Sequence, residues 1–267
     1  MNLKTLFQQI SVFIVFILLW KSVIYIFGFQ EFILPSPESI FREYISLAKS
    51  GLLLKHTLVT LNETLLGFFI GSLIGIFLGY IIAKSKTLEQ VLSPYVVAIQ
   101  TVPIIALAPL IVIWFGFGIE SKVVICALIV FFPILVNTII GVKSVDKNLS
   151  RLFKILGATR FQTLLKLEIP SILPILFAGF KIGITLAVIG AVVGEFVGAN
   201  SGLGYLTIYA SGLMDTPTVF AALIQLALLG IILYAIICLA ERLLIPWSVL
   251  ETKIGKTVTK TNKSRHR

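Results

Sequence analysis

Six stretches of this sequence are each long and apolar enough to cross a lipid bilayer, and this feature limits the fold more than any other. A helix needs about 20 predominantly apolar residues to span the hydrocarbon core. Only 13% of the 267 residues are charged, whereas soluble chains carry roughly a quarter. The sequence therefore predicts an all-α, polytopic membrane protein with six transmembrane helices. The predicted spans are residues 7–27, 65–83, 91–115, 123–142, 182–198 and 220–240.

The basic residues predict how these spans are oriented. Sixteen of the 22 Lys and Arg residues fall in the termini and loops on one side of the predicted spans, and four fall on the other side. Loops rich in Lys and Arg stay in the cytoplasm, so we expect both termini to be cytoplasmic. The net charge is +10. Because the basic residues cluster between apolar runs, as at a cytoplasmic membrane face, we expect no nucleic-acid partner.

We divide the chain into three parts. Residues 1–60 hold the first transmembrane helix and an outer amphipathic segment, in which Leu34-Pro35-Ser36-Pro37 stops the first helix and Ser36 starts the next. Residues 61–245 form the transmembrane core, with a cytoplasmic loop at 143–173 that carries six basic residues. Residues 246–267 form a basic cytoplasmic tail.

Glycines recur at every fourth position in the second and fifth spans. Small residues at this spacing form a flat strip along a helix, so that a neighbouring backbone can approach closely. The alternative is that glycine is simply common in membrane helices. The expected packing residues are Gly67, Gly71, Gly75, Gly79, Gly190, Gly194 and Gly198.

Prolines and one acidic residue mark candidate positions along a transport pathway. Pro103 and Pro109 each remove a backbone hydrogen bond from the third span and are expected to kink it. Broken helices often line transport pathways, although a kink that only improves packing is the alternative. Glu195 is the only acidic residue deep in an apolar run, where either a functional or a hydrogen-bonded structural role is expected. The candidate pathway residues are Gln100, Thr101, Pro103, Asn137 and Glu195.

The loop at 143–173 is expected to form two short amphipathic helices. Asp146 or Ser150 can cap the first helix, and Gly157 ends it. The second helix is marked by Phe161 and is expected to run to Pro170. Such a bent, exposed unit can lie on anionic lipid or fit a groove on a cytoplasmic partner.

The second half of this loop resembles the EAA loop of ABC importer permeases, because Gly157 is followed after nine residues by Leu167-Glu168-Ile169-Pro170. The namesake Glu-Ala-Ala would fall on residues 151–153 and is absent, but the helical pattern and the glycine are retained. The resemblance implies that the loop docks on an ATPase. The implied docking residues are Arg151, Leu152, Phe153, Gly157, Arg160, Phe161 and Pro170.

Motifs over residues 34–247 are similar to the nitrate, sulfonate and taurine branch of these permeases. They are residues 34–37, His56, Thr60-Leu61, Gly67-Phe68, Gly71, Pro103, 106–110, 114–116, 121–123, 131–133, 137–138, Gly179, Lys181, 194–195 and 202–204. Residues 131–138 and 190–199 look most like members that handle riboflavin or pyrimidine precursors of thiamine. Members for aliphatic sulfonates, taurine or nitrate are the alternative.

The resemblance implies the transmembrane domain of a type I ABC importer in a prokaryotic inner membrane, surrounded by lipid. It implies a second permease copy as dimer partner, two ABC ATPase subunits below the membrane and an extracytoplasmic substrate-binding protein. No cofactor is expected in this chain, because ATP would bind to the partner subunit. Gly255-Lys256-Thr257 imitates a phosphate-binding loop, but Leu250 stands where its first glycine is required.

Two other classes of protein fit the residues less well. A stand-alone secondary carrier is the first alternative, and the scarcity of intramembrane acid weighs against it. A membrane enzyme is the second alternative, but no catalytic cluster or metal-ligand spacing is present. Neither catalytic nor metal-binding residues are therefore predicted. Cys126 and Cys238 lie in apolar runs and are interpreted as small core residues.

Overall fold

The structure of the protein, a computed structural model, describes residues 3–247, and residues 3–6, 9, 10 and 13 are described as backbone only. The predicted tail from residue 248 onward, including Gly255-Lys256-Thr257, lies outside the described residues. The prediction of an all-α protein is confirmed for the part that is described. Its helices are α1 (Leu3–Phe27), α2 (Pro37–Lys49), α3 (Leu52–Lys84), α4 (Lys86–Gln100), α5 (Ile104–Phe115), α6 (Ile119–Lys143), α7 (Lys147–Ile155), α8 (Arg160–Thr163), α9 (Ile169–Gly198), α10 (Leu203–Gly212) and α11 (Thr216–Leu244), and a π-helical turn (Leu164–Glu168) joins α8 to α9.

The predicted number of spans is approximately right. Among the described residues, four helices are long and apolar enough to cross a membrane, and the number rises to five if the bent pair α4–α5 is counted as one span. The first predicted span coincides with α1, whose apolar part within the described residues, Ile14–Phe27, is shorter than a full span. The spans at α3, α9 and α11 are longer than predicted. α3 and α11 continue into polar sequence, whereas α9 begins in the mostly apolar stretch 169–181, which the prediction left out.

The third predicted span, 91–115, is interrupted at Pro103, as the proline predicted, but not at Pro109. The chain breaks at Thr101–Pro103, and α4 and α5 meet at 90°. Pro103 is the N-cap residue of α5 and has no amide hydrogen with which to continue α4. α5 runs on through Pro109, so of the two prolines only Pro103 interrupts the span.

We expect from the sequence that the second helix of the loop ends at Pro170, but in the structure it continues past this residue. α8, the π-helical turn and α9 form one continuous helical path from Arg160 to Gly198. The Ile169 amide bonds to the carbonyl of Leu164, five residues back, and this wider turn allows the helix to continue into a proline that cannot donate. The loop is therefore connected rigidly to the fifth span.

The centre of the bundle is α6, which packs between α3 and α9. A Cβ atom on Gly71 would lie 2.5 Å from the carbonyl oxygen of Ala127, and one on Gly79 would lie 2.8 Å from that of Leu135. On the other side, a Cβ on Gly190 would lie 3.0 Å from the Cα of Cys126. Three of the other predicted packing glycines, Gly67, Gly75 and Gly194, also meet atoms of α6, whereas Gly198 meets the ring of Phe117 between α5 and α6.

The outer segment is attached to the bundle through its own contacts. Ser36 accepts a hydrogen bond from the Ser39 amide and caps α2 as predicted. Trp20 of α1 donates to the carbonyl of Pro35 at 3.1 Å and packs edge-to-face on Phe220 of α11. α1 and α2 are therefore both held against α11.

We predict that Gly71→Ala destabilises the protein, because the added methyl group overlaps the α6 backbone. The expected loss is about 1–3 kcal/mol in the free energy of unfolding, measured as a lower thermal unfolding midpoint in detergent. Gly230→Ala in α11 is the matched control, since a Cβ there meets nothing within 4 Å. Equal midpoints for the two variants would contradict the close packing of α3 on α6.

Candidate functional site

The first candidate site is the loop between α6 and α9. Asp146 caps α7 by accepting a hydrogen bond from the Asn148 amide at 2.7 Å, as predicted. Gly157 follows the end of α7 with φ +73°, a left-handed conformation that favours glycine. Thr159 and Gln162 then form a capping box that starts α8. These local signals give the loop a defined, bent shape.

The loop presents apolar side chains to its surroundings. Ile155, Leu156 and Phe161 are 82%, 74% and 67% exposed. They lie among basic residues, so the surface combines apolar anchors with positive charge. Of the predicted docking residues, Arg151, Leu152, Gly157, Arg160 and Phe161 are exposed, whereas Phe153 and Pro170 are partly buried.

A buried acidic residue fixes the loop to α3. Glu168 ends the π-helical turn, and its carboxylate accepts hydrogen bonds from the Tyr80 hydroxyl at 2.9 Å and from the Lys84 ammonium at 2.5 Å. Sequence reasoning missed this contact. A signal was available, because Tyr80 and Lys84 are four residues apart on one face of α3 and Glu168 is the only acid in the second half of the loop.

The predicted pathway residues lie in three different places. Gln100, Thr101 and Pro103 are exposed at the break between α4 and α5. Asn137 is partly buried in α6, where its amide donates to the carbonyl of Pro133. Glu195 lies at the end of α9 and belongs to a separate network.

That network is a second candidate site, which we call the outer cluster because it lies at the end predicted to face outside. Its members are His56, Thr60 and Glu63 of α3, Lys122 of α6, Glu195 of α9, and Gly202 and Gly204 at the start of α10. All five non-glycine side chains are at most 5% exposed.

Within the outer cluster, Glu195 caps α10. Its carboxylate accepts from the amides of Gly204 at 2.5 Å and Tyr205 at 3.2 Å, and from the Thr60 hydroxyl at 2.6 Å. The first amides of a helix have no partner within the helix, and they attract negative charge. Three donors to one carboxylate stabilise its ionised form.

Side chains of α3 bind the two preceding amides. The Gly202 amide donates to Nδ1 of His56 at 2.9 Å, and the Leu203 amide donates to the Thr60 hydroxyl at 2.8 Å. Four consecutive amides, 202–205, are therefore bound by α3 and α9. Nδ1 of His56 accepts, so it is the unprotonated nitrogen of that ring.

Lys122 closes the cluster from the α6 side. Its ammonium donates to the carbonyl of Phe117 at 2.7 Å and to that of Gly198, the last residue of α9. A cation at a helix C-terminus stabilises the unpaired carbonyls there. Lys122 thus binds a carbonyl at the end of α9, as Glu195 binds amides at the start of α10.

Sequence reasoning singled out most members of the outer cluster separately, without predicting that they meet. It missed Glu63 altogether. His56, Thr60 and Glu63 are spaced i, i+4 and i+7, which places them on one helix face. Among the described residues, no group of three or more His, Cys, Asp or Glu side chains is arranged to hold a metal ion.

The long helices, the broken span and the exposed loop are features of a polytopic membrane protein with a defined loop on one end. The family described as "Binding-protein-dependent transport system inner membrane component" matches residues 71–246, and the chain belongs to this family. It is a permease of the ABC transporter type, a membrane subunit and not an enzyme.

Two curated relatives are similar along most of their length. The chain is 44% identical over 228 residues to the riboflavin transport system permease protein of Chloroflexus aurantiacus, covering 85% of each chain. It is 41% identical over 235 residues to the formylaminopyrimidine transport permease protein of Halalkalibacterium halodurans, covering 88% of this chain and 93% of that one.

A solved structure supports the fold. A chain in the crystal structure of an amino acid ABC transporter with histidines superposes with a TM-score of 0.56 at 21% identity. The match covers 74% of this chain and 97% of that chain. The predicted fold class and family are therefore confirmed.

We predict that Glu168→Ala weakens the attachment of the loop to α3. The variant leaves the Lys84 ammonium without its partner and should lose about 1–2 kcal/mol of unfolding free energy. Glu89→Ala is the matched control, because the Glu89–Lys143 pair is more exposed and such pairs contribute about 0–1 kcal/mol. Thermal unfolding of both variants measures the difference, and a larger loss for Glu89→Ala would refute the assignment.

We predict that Gly202→Ala disrupts the outer cluster. Gly202 has φ +117°, and a Cβ there would overlap the Glu195 carboxylate. Strain and overlap together should lower the free energy of unfolding by about 2–4 kcal/mol. Gly212→Ala, at the end of α10, meets nothing within 4 Å and should be near neutral. If both variants unfold at the wild-type midpoint, the tight packing of the 202–205 turn is wrong.

Proposed function

We propose that this chain forms the translocation pathway of an ATP-driven importer in a prokaryotic inner membrane, with both termini in the cytoplasm. The observation that carries the proposal is the loop between α6 and α9, which is exposed, apolar and continuous with a membrane span. Movement of a partner bound there would be transmitted directly to α9, since α8, the π-helical turn and α9 are one helical path. The family description adds a binding protein as the source of the solute.

We further propose that two copies of this chain form a homodimer and that two ABC ATPase subunits, which bind the ATP, associate with it. The broken span supports this arrangement. Ile113 and Trp114 of α5 and the following Phe117 are 74%, 70% and 72% exposed in the single chain, while Gln100 and Thr101 are exposed at the break. A second copy packed near this break would cover apolar surface and enclose the polar residues between the two chains.

For the transported solute, we propose riboflavin or a pyrimidine precursor of thiamine. Support comes from the two relatives at 44% and 41% identity, which are named for riboflavin and formylaminopyrimidine transport. The predicted pathway residues at the break are an amide and a hydroxyl, which suit an uncharged heterocycle better than an anion. Aliphatic sulfonates, taurine and nitrate form the second panel of solutes to test.

We predict that Phe161→Asp abolishes binding of the ATPase. The variant places a charge in the exposed apolar surface of α8. Binding of the ATPase would bury this charge without a partner, which is energetically costly. The measurement is affinity purification of the tagged protein in mild detergent, followed by an ATP-hydrolysis assay. Phe32→Asp is the matched control, because Phe32 is also exposed, at 47%, but lies on the opposite end of the bundle.

Wild type and Phe32→Asp should retain the ATPase, and Phe161→Asp should lose it while keeping the wild-type unfolding midpoint. The purified complex can then be reconstituted with its binding protein, and ATP-dependent uptake of the two panels of solutes can be compared. A folded wild type that purifies without any ATPase, or one that takes up solute without ATP, would overturn the importer proposal in favour of a stand-alone carrier.

A further inference from the structure

Glu63 is the member of the outer cluster whose charge is not matched. Its side chain is 3% exposed, and its Oε2 atom has no hydrogen-bond partner in the described part of the chain. Glu195, in contrast, accepts from two backbone amides and one hydroxyl. A buried carboxylate oxygen without a donor is costly, so a hydrogen-bond donor or a cation is needed at this position.

The neighbouring carboxyl group makes the requirement stronger. Glu63 lies one turn along α3 from Thr60, whose hydroxyl donates to the Glu195 carboxylate, so both buried carboxyl groups belong to one cluster. Two buried carboxylates in one cluster are not both ionised unless a positive charge lies near them. The Glu195 carboxylate already has its own donors, so the additional charge belongs to Glu63.

Lys122 does not supply that charge directly. Two of its three ammonium hydrogens are donated to the carbonyls of Phe117 and Gly198. The ion pairs formed within 4 Å among the described residues involve other lysines. Two buried carboxyl groups and one ammonium group leave one negative charge unbalanced.

The cluster is accessible from the outer end through a cavity of about 300 Å³. Its polar lining consists of Glu63 and Lys122 together with Asn62, Asn200 and Ser201. A water molecule occupies about 30 Å³ in the liquid, so the cavity has room for a small ion and its remaining waters. The unpartnered Glu63 carboxyl is part of this lining.

We propose that the outer cluster is a binding site for one monovalent cation, a proton or an alkali-metal ion, held by Glu63 against Glu195. The bound charge completes the packing of α3 against the turn between α9 and α10. The site lies at the opposite end of α9 from the loop between α6 and α9. Other ionisable groups at this end are His56 and Lys55 on α3, Lys122 and Glu120 on α6, and Tyr205 on α10.

The test is thermal unfolding of the purified full chain in detergent from pH about 6 to about 9, in choline, sodium or potassium chloride of equal ionic strength. In choline, the wild-type midpoint should fall by a few degrees as the pH rises, because the proton is lost from Glu63. Sodium or potassium restores the midpoint if the site also takes an alkali-metal ion, and has no effect if it takes only a proton.

Glu63→Gln should remove this dependence on pH and salt, because its amide is neutral and can donate to Glu195. The matched control is Glu120→Gln, an exposed acid at the same end, which should behave as wild type does. His56 is present in all three proteins, so its own titration cancels in the comparison.

Infrared spectroscopy gives a second measurement. A proton on Glu63 produces the carbonyl stretch of a protonated carboxyl group, which should be present in wild type, disappear at high pH and be missing from Glu63→Gln. Because this band and the wild-type salt dependence need no variant, the test stands even if Glu63→Gln does not fold.

Three results would overturn the proposal. The first is a wild-type unfolding midpoint that is independent of pH and alkali-metal ions, and the second is a midpoint that changes identically in Glu63→Gln. The third is the absence of both the infrared band and any salt effect in wild type.

Discussion

The close approach of α3 and α9 to α6 is the constraint on which the rest of the structure depends. In a bilayer, helices gain nothing from burying apolar groups against each other instead of against lipid, so close packing has to hold them together. Gly71 on one side and Gly190 on the other bring two backbones into contact with α6, and Cys126 is small enough to lie between α3 and α9. The three helices form the frame from which the outer cluster and the loop project.

At both ends of this frame, charged side chains bind groups that lie near the ends of helices. At the outer end, Glu195 and Lys122 bind the amides of one helix start and the carbonyls of one helix end. At the other end, Glu168 joins the loop to α3 instead of leaving the π-helical turn free. Glu195, Lys122 and Glu168 therefore act near helix ends, whereas Glu63 is buried within α3.

The continuous path through α8, the π-helical turn and α9 gives the proposed transport mechanism its physical basis. A proline in a loop would normally separate a docking unit from the membrane span. Here the wider turn before Pro170 preserves helical continuity, so displacement of Phe161 by a partner is expected to move α9 and, through its glycines, α6. The outer cluster lies at the far end of the same helix, which makes its charge balance relevant to how α9 is held there.

The sequence by itself determined the all-α membrane fold, the family, the glycine strips and the caps at Ser36 and Asp146, because each follows from local periodicity or from a motif within a few residues. Only the tertiary structure decided that the third span breaks at Pro103 and not at Pro109, and that the loop helix continues through Pro170, since these depend on which neighbours replace the missing hydrogen bonds. It also decided that His56, Thr60, Lys122 and Glu195 meet, although they are separated by up to 139 positions along the chain. Sequence analysis named Glu168 only as part of a motif and did not single out Glu63, because the role of a buried charge is set by the partners that the fold places beside it.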